Sequence, residues 1–162
     1  MNRRLQLVPT LEPVEPDVLF CGHCGQGPPT PMAARSRVCA RCGLGVVISA
    51  PESVAPAPKT AFLIVDGSLS LCALSDRAEK LLGLDEPTAV HRHVGEFLEP
   101  ADAEAGRGDE LLRAIIAAAG GVDGPRTVVV RPTGEFGVRY TAKIGRCGPP
   151  AGALLVISDG VV

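Results

Sequence analysis

A chain of 162 residues with 46% apolar side chains is long enough for one ordinary domain or two small ones, and it has the material for a real core. Its formal net charge of −2 excludes a whole-molecule attraction to nucleic acid or an anionic membrane, so either partner would need a local patch. No run of about 18 apolar residues and no basic, apolar, small-residue leader is found, so the expected location is the cytoplasm.

In a reducing compartment, six cysteines point to metal ligation and buried thiols rather than to three disulfides. Residues 1–16, closing on LVPTLEPVEP, hold three prolines and no regular period, and are expected to form a flexible N-terminal arm. Next come FCGHCGQG (20–27) and RVCARCGLGV (37–46), which set Cys21 and Cys24 two residues apart, then a 14-residue gap, then Cys39 and Cys42. A tetrahedral zinc ion takes four thiolates at about 2.3 Å, and two intervening residues let one tight turn aim both sulfurs of a pair at the same point. Gly25 and Gly43 follow the second cysteine of each pair, where a positive φ turns backbone amides toward the thiolates.

The arrangement over residues 17–48 resembles a zinc ribbon, with Cys21, Cys24, Cys39 and Cys42 as ligands. Redox dithiols and a rubredoxin-like iron site use the same letters. Twin pairs at ribbon spacing favour zinc, and the aromatic packing of an iron site is missing. Four cysteines close the shell, so the zinc is expected to be structural rather than catalytic. Phe20 is the only aromatic in the segment, so metal is expected to supply stability that side-chain burial cannot. Arg35, Arg37 and Arg41 surround the second pair and form a candidate contact for nucleic acid or a protein partner. Without interleaved aromatics, they read first as a solvated loop offsetting thiolate charge.

SAPESVAPAPK (49–59) reads as a Pro/Ala linker to a second region covering residues 60–160. There, AFLIVD (61–66) and LSLCAL (69–74) are expected to pair as a hairpin around Gly67 and Ser68. Ser75 and Asp76 start a short helix, DRAEKLLG, with Ala78, Leu81 and Leu82 on one face and Gly83 as its stop. A longer helix is expected at 108–119, starting at Asp109, with Leu111, Leu112, Ile115, Ile116 and Ala119 on one side and Gly120-Gly121 ending it. Three strands follow, RTVVVRP (126–132), FGVRYTAKIG (136–145) and GALLVISD (152–159). The expected class is α+β: a small zinc ribbon, then a five-stranded antiparallel sheet with its helices on one face.

LIVDGSLSLCALSDRAEKLLGL (63–84), VGEFLEPADAE (94–104) and LLVISDG (154–160) together resemble the opening, middle helices and close of PAS sensory domains, over about 100 residues. Ser75 stands where many of the family have asparagine, and Gly67 comes two positions before the usual hairpin glycine. The resemblance implies ligand binding between sheet and helices, pairing with another PAS surface, or both. Leu111, Leu112, Ile115 and Ile116 are then the candidate ligand-pocket residues.

Haem is not expected, because the long helix offers no histidine. Flavin is not expected either, because HRHVGEFLEP has no cysteine and the chain has no Trp and one Tyr. His91 and His93 lack an evident third ligand and read as a surface turn. Cys72 reads as a small core residue of a strand, and Cys147, in GRCGPP, as an exposed thiol. No phosphate-cradling loop, nucleophile elbow or metallohydrolase motif occurs, so no enzyme is expected.

Only Gly160, Val161 and Val162 follow Asp159, so output is expected through noncovalent contact. The expected function is a cytoplasmic sensor or adaptor with a protein partner, either another PAS surface, including a second copy, or a separate effector. A transcription regulator whose ribbon touches nucleic acid is the alternative, and cysteine redox sensing a third reading.

Overall fold

The structure, a computed structural model, describes residues 14–101, 108–122 and 124–159. Most of the expected arm at 1–16 therefore lies outside the described residues, as do residues 102–104 of the expected middle-helix segment and the final three of the chain.

Two antiparallel strands, β1 (Asp17–Cys21) and β2 (Val47–Pro51), form the base of the cysteine-bearing segment. An isolated bridge, Val38 to Val46, extends the pairing toward the second cysteine pair. The rest of the chain builds one fully antiparallel sheet in the order β4-β3-β8-β7-β6-β5. Its members are β3 (Ala61–Val65), β4 (Leu71–Leu74), β5 (Leu98–Pro100), β6 (Arg126–Pro132), β7 (Tyr140–Cys147) and β8 (Gly152–Asp159). The sheet thus has six strands rather than the expected five. The added strand is three residues of the expected middle-helix segment, VGEFLEP, whose Leu98, Glu99 and Pro100 pair with Pro132, Arg131 and Val130. Among the described residues of that segment, only Val94–Glu96 coil, as a 3₁₀ turn closed by reciprocal bonds between His93 and Glu96. Pro100 cannot donate to a helix ladder, and Glu99 pairs with the largely buried Arg131 at 2.7 Å, which favours the extended form.

Helix α1 (Asp76–Leu82) begins where Ser75 accepts a bond from the Ala78 amide, and it ends on Gly83 in the left-handed conformation, φ 62°. The buried Ser75 hydroxyl also accepts from the Phe62 amide at 3.0 Å, tying the helix start to β3. A four-residue helix, α2 (Glu86–Ala89), follows with Pro87 in its first turn. The β3–β4 turn is set by Asp66, whose carboxylate accepts from the amides of Ser68 and Ser70 at 2.8 and 3.0 Å. The left-handed residue in this turn is Leu69, φ 66°, and not Gly67.

The long helix α3 (Glu110–Ala119) buries Leu111, Ala114, Ile115 and Ala118. The expected stripe is therefore rotated: Leu112 and Ala119 are partly buried, while Ile116 is 50% exposed. One core fills the space between α1, α3 and the sheet, with Leu63, Val65, Leu155 and Ile157 facing it. A second core lies on the opposite side, where Phe62, Ile64 and Leu154 meet Phe20, Ile48, Ala50 and Val54 of the cysteine-bearing segment. Strand β3 is covered on both faces, and for that reason all five of its residues are buried and apolar instead of alternating.

Residues 49–59, expected as a linker, contain the end of β2 and the buried Val54, which lies over Gly145 of β7. Ser49 and Gly148 exchange backbone bonds of 2.8 and 3.0 Å, and Arg146 grips Asp17 through two bonds of 2.8 and 3.0 Å. Among the described residues, no helix is long and apolar enough to cross a membrane.

Candidate metal centre

The two cysteine pairs make matching turns. In the first, the Gly25 amide donates to the Cys21 carbonyl at 2.9 Å, and in the second Gly43 donates to Cys39 at 2.9 Å. Both glycines have positive φ, 73° and 67°, as their place after each pair requires. Pairing of β1 with β2 brings the two turns face to face.

Four sulfurs converge as a result. The Sγ atoms of Cys21, Cys24, Cys39 and Cys42 all lie within 4.8 Å of one another, with Cys21 to Cys42 at 3.6 Å and Cys24 to Cys39 at 3.9 Å. A tetrahedron with metal–sulfur bonds of about 2.3 Å has edges of about 3.8 Å, so the donor set fits one ion held by four thiolates and is compatible with zinc. Amide groups converge on the sulfurs: His23 on Cys21 at 3.4 Å, Arg41 on Cys39 at 3.4 Å, Gly45 on Cys42 at 3.5 Å, and Gln26 on Cys24. Such N–H donors disperse thiolate charge, which a neutral, apolar lining would not do. Cys21 and Cys39 are buried, at 0% and 2% exposure, Cys24 and Cys42 are partly buried, and among the described residues no further His, Cys, Asp or Glu joins the cluster.

The thiols are unequal. Burial pushes the Cys21 thiol up to about 12 against the pull of the Cys24 and His23 amides, and burial also raises Cys24. At Cys42 burial again acts upward, but the amides of Gly45 and Leu44 and the sulfurs of Cys21 and Cys39 outweigh it and bring the thiol down to about 6. Cys42 therefore gives up its proton before Cys21 or Cys24, and an incoming cation must displace the protons that those two keep.

Gly45 is the site residue that the spacing argument missed. A Cβ there would sit inside the Cys21 sulfur and 2.8 Å from His23 Cβ, so only glycine lets the second turn close over the first. The alternating glycines of CGLG carried that signal. The contact of this segment with the sheet had no local signal: Phe20 meets Phe62 edge to face with ring centroids 5.7 Å apart, and His23 Nδ1 lies 3.6 Å from a Glu86 oxygen.

The remaining sequence candidates are dispersed. Arg35, Arg37 and Arg41 are all exposed around the second turn, and Arg41 Nε donates to the Gly27 carbonyl at 3.1 Å. Leu111 and Ile115 are fully buried in the helix–sheet core and Leu112 packs at its margin, whereas Ile116 faces outward, so the four do not line a common space. His91 and His93 sit in a turn, where His93 Nδ1 accepts from the Gly95 amide at 3.0 Å. Among the described residues, the four cysteines are the only group that could hold a metal.

The two other cysteines exchange their expected places. Cys72 is exposed on the edge strand β4, and Cys147 is buried at 6% as the last residue of β7. A bulge explains the first and strand alternation the second. Val65 pairs with Leu71 and Ile64 with Ala73, so Cys72 is skipped in the register and both Leu71 and Leu74 reach core positions, while Cys147 alternates onto the second core.

No protein-family model matches the chain, and no curated protein matches it by sequence. Among solved structures, it is similar to the PAS domain of nitrogen regulation protein NR(II) from Vibrio parahaemolyticus. The two share 14% identity at a TM-score of 0.46, over 63% of this chain and 90% of that one.

Proposed function

We propose that the protein is a non-enzymatic, cytoplasmic signalling adaptor in which a PAS-like sheet domain senses a ligand or pairs with a partner, and a zinc ribbon fused to the back of the sheet supplies a second contact surface. The convergence of four sulfurs within 4.8 Å is the observation that carries it. Four thiolates around one ion would make a closed structural shell, without the open position that a catalytic ion keeps. Support for the PAS-like assignment comes from the sequence motifs and from the order of elements: two strands, helices on one face, then three long antiparallel strands. Zinc in this site would hold the Cys21–Cys24 and Cys39–Cys42 turns together and present the exposed loop between them to a partner.

Native mass spectrometry of protein purified without added metal tests the reading. One zinc ion per chain, retained with all four sulfurs and lost in Cys39→Ser, is the expected result. A chain that carries no metal, or that carries it equally well without Cys39, would overturn the ribbon half of the proposal. The three exposed arginines beside the second turn favour one further reading, contact with nucleic acid. It predicts a DNA or RNA gel shift that weakens steeply with salt and is lost when Arg35, Arg37 and Arg41 are replaced together.

A further inference from the structure

Where the cysteine segment meets the sheet, the contact is incomplete. Phe20, Ile48 and Val54 close one part of it, but beside them a cleft of about 800 Å³ opens between the two metal-bearing turns and the β3–β4 edge. Gly22 and Leu44 belong to the turns that form one wall; Ile64 and Ala73 belong to the sheet side. Close approach of Gly22, whose Cβ would meet Ile64 Cδ1 at 3.4 Å, sets the depth at that end.

The volume falls within the range of small-molecule sites, which are concave, mainly apolar and given direction by few polar groups. Here carboxylates predominate. Asp66, Glu79 and Glu86 line the cleft together with His23, and neither lysine nor arginine does. The carboxylates are anchored: Glu86 accepts from the Leu74 amide at 3.0 Å while its other oxygen lies 3.6 Å from His23 Nδ1, Glu79 accepts from the Glu86 amide at 2.7 Å, and Asp66 from Ser68 and Ser70 through one oxygen. Glu79 and Glu86 are thereby both held at the cleft wall, preorganised for a cation rather than free to swing into solvent.

We propose that this cleft binds an amphipathic organic cation, with its alkyl or aryl body lying on Leu44, Ile64 and Ala73 and its protonated amine directed to the Glu79–Glu86 pair. The site is on the opposite side of the sheet from the helix-backed core, so it is separate from any ligand held between sheet and helices. It rests on the metal-bound form of the cysteine turns proposed above, because those turns are one of its walls. Metal content, measured first on the same sample, distinguishes failure of that premise from failure of the cleft to bind.

Calorimetric titration of the metal-loaded full chain with decylammonium, decanol and decanoate tests the inference. Decylammonium is expected to bind about tenfold more tightly than decanol, with decanoate weakest. Glu79→Gln with Glu86→Gln keeps the amide-accepting oxygens, and should remove the tenfold preference while leaving decanol binding in place. Ala73→Phe fills the cleft and should abolish binding of all three. Equal binding of the three probes, binding that survives Ala73→Phe, or no binding to metal-loaded protein would each overturn the proposal. Cys72 lines the same cleft, so a measurement on the unaltered chain guards against a misfolded variant: decylammonium should slow alkylation of Cys72, and an unchanged rate would count against the site.

Discussion

Cys147 closes β7 beneath the cysteine segment, and burial, with a smaller contribution from Cys72, pushes its thiol up to about 12. A folded value above the ordinary 9.0 means that its neutral form favours the native state. Its contribution to stability is therefore complete below about pH 9 and is lost as the pH rises toward 12. Cys72 is also raised, by burial and by the charge of Asp66, yet it is open to solvent. On metal-loaded protein, alkylation followed by peptide mass analysis should therefore modify Cys72 well before Cys147, with the gap closing only under strongly alkaline conditions; equal rates at neutral pH would contradict the placement. Their neighbours in sequence suggested the reverse. A cysteine among LSLCAL reads as strand core, and one before Gly148-Pro149-Pro150 reads as loop, because local composition does not reveal which strand is an edge or what covers a turn from afar.

Strands β6 and β8 have the boundaries expected from their Val-, Leu- and Ile-rich runs, and α1 and α3 start and stop near the expected polar and glycine residues. These elements were legible because their signals are local: period, cap and terminator all lie within one turn or one strand. The convergence of the four cysteines was legible for the same reason, since each pair and its glycine form a self-contained turn. Strand β5 was not, because its three residues are extended only by pairing with β6, some 30 residues later in the chain. Docking of β2 and the following turn onto β7 was likewise hidden. It depends on Gly145, where a Cβ would come within 2.6 Å of a Val54 methyl carbon. Gly145→Val should therefore push the cysteine segment off the sheet at a cost of about 1–3 kcal/mol, the range typical of overpacked cores. Denaturant unfolding by circular dichroism checks this, and a variant as stable as the parent would show that the contact is not close-packed in solution.

At the scale of the whole molecule, the metal site and the second core act on the same segment. Burying side chains such as Phe20 and Ile48 stabilises it by about 1.5–3 kcal/mol each, so the segment does not depend on metal alone, as its own poor composition suggested. Metal binding still requires four thiolates, and protons compete for them. Release to a chelator should thus accelerate steadily as the pH is lowered from about 8 to about 5, read with a metal-sensitive dye. Stripped protein should bind more of a hydrophobic dye as Phe62, Ile64 and Leu154 lose part of their cover, while the helix-side core keeps its secondary structure. Release independent of pH would argue against thiolate ligation.

The double-sided burial of β3 has a mechanical consequence. Alternate residues of five consecutive positions serve different halves of the molecule, so the layer dividing them is a single polypeptide thick and buried on both faces. A shift on the cysteine-bearing side must be accommodated by the same backbone that supports the helices, leaving the two halves without a cushion between them.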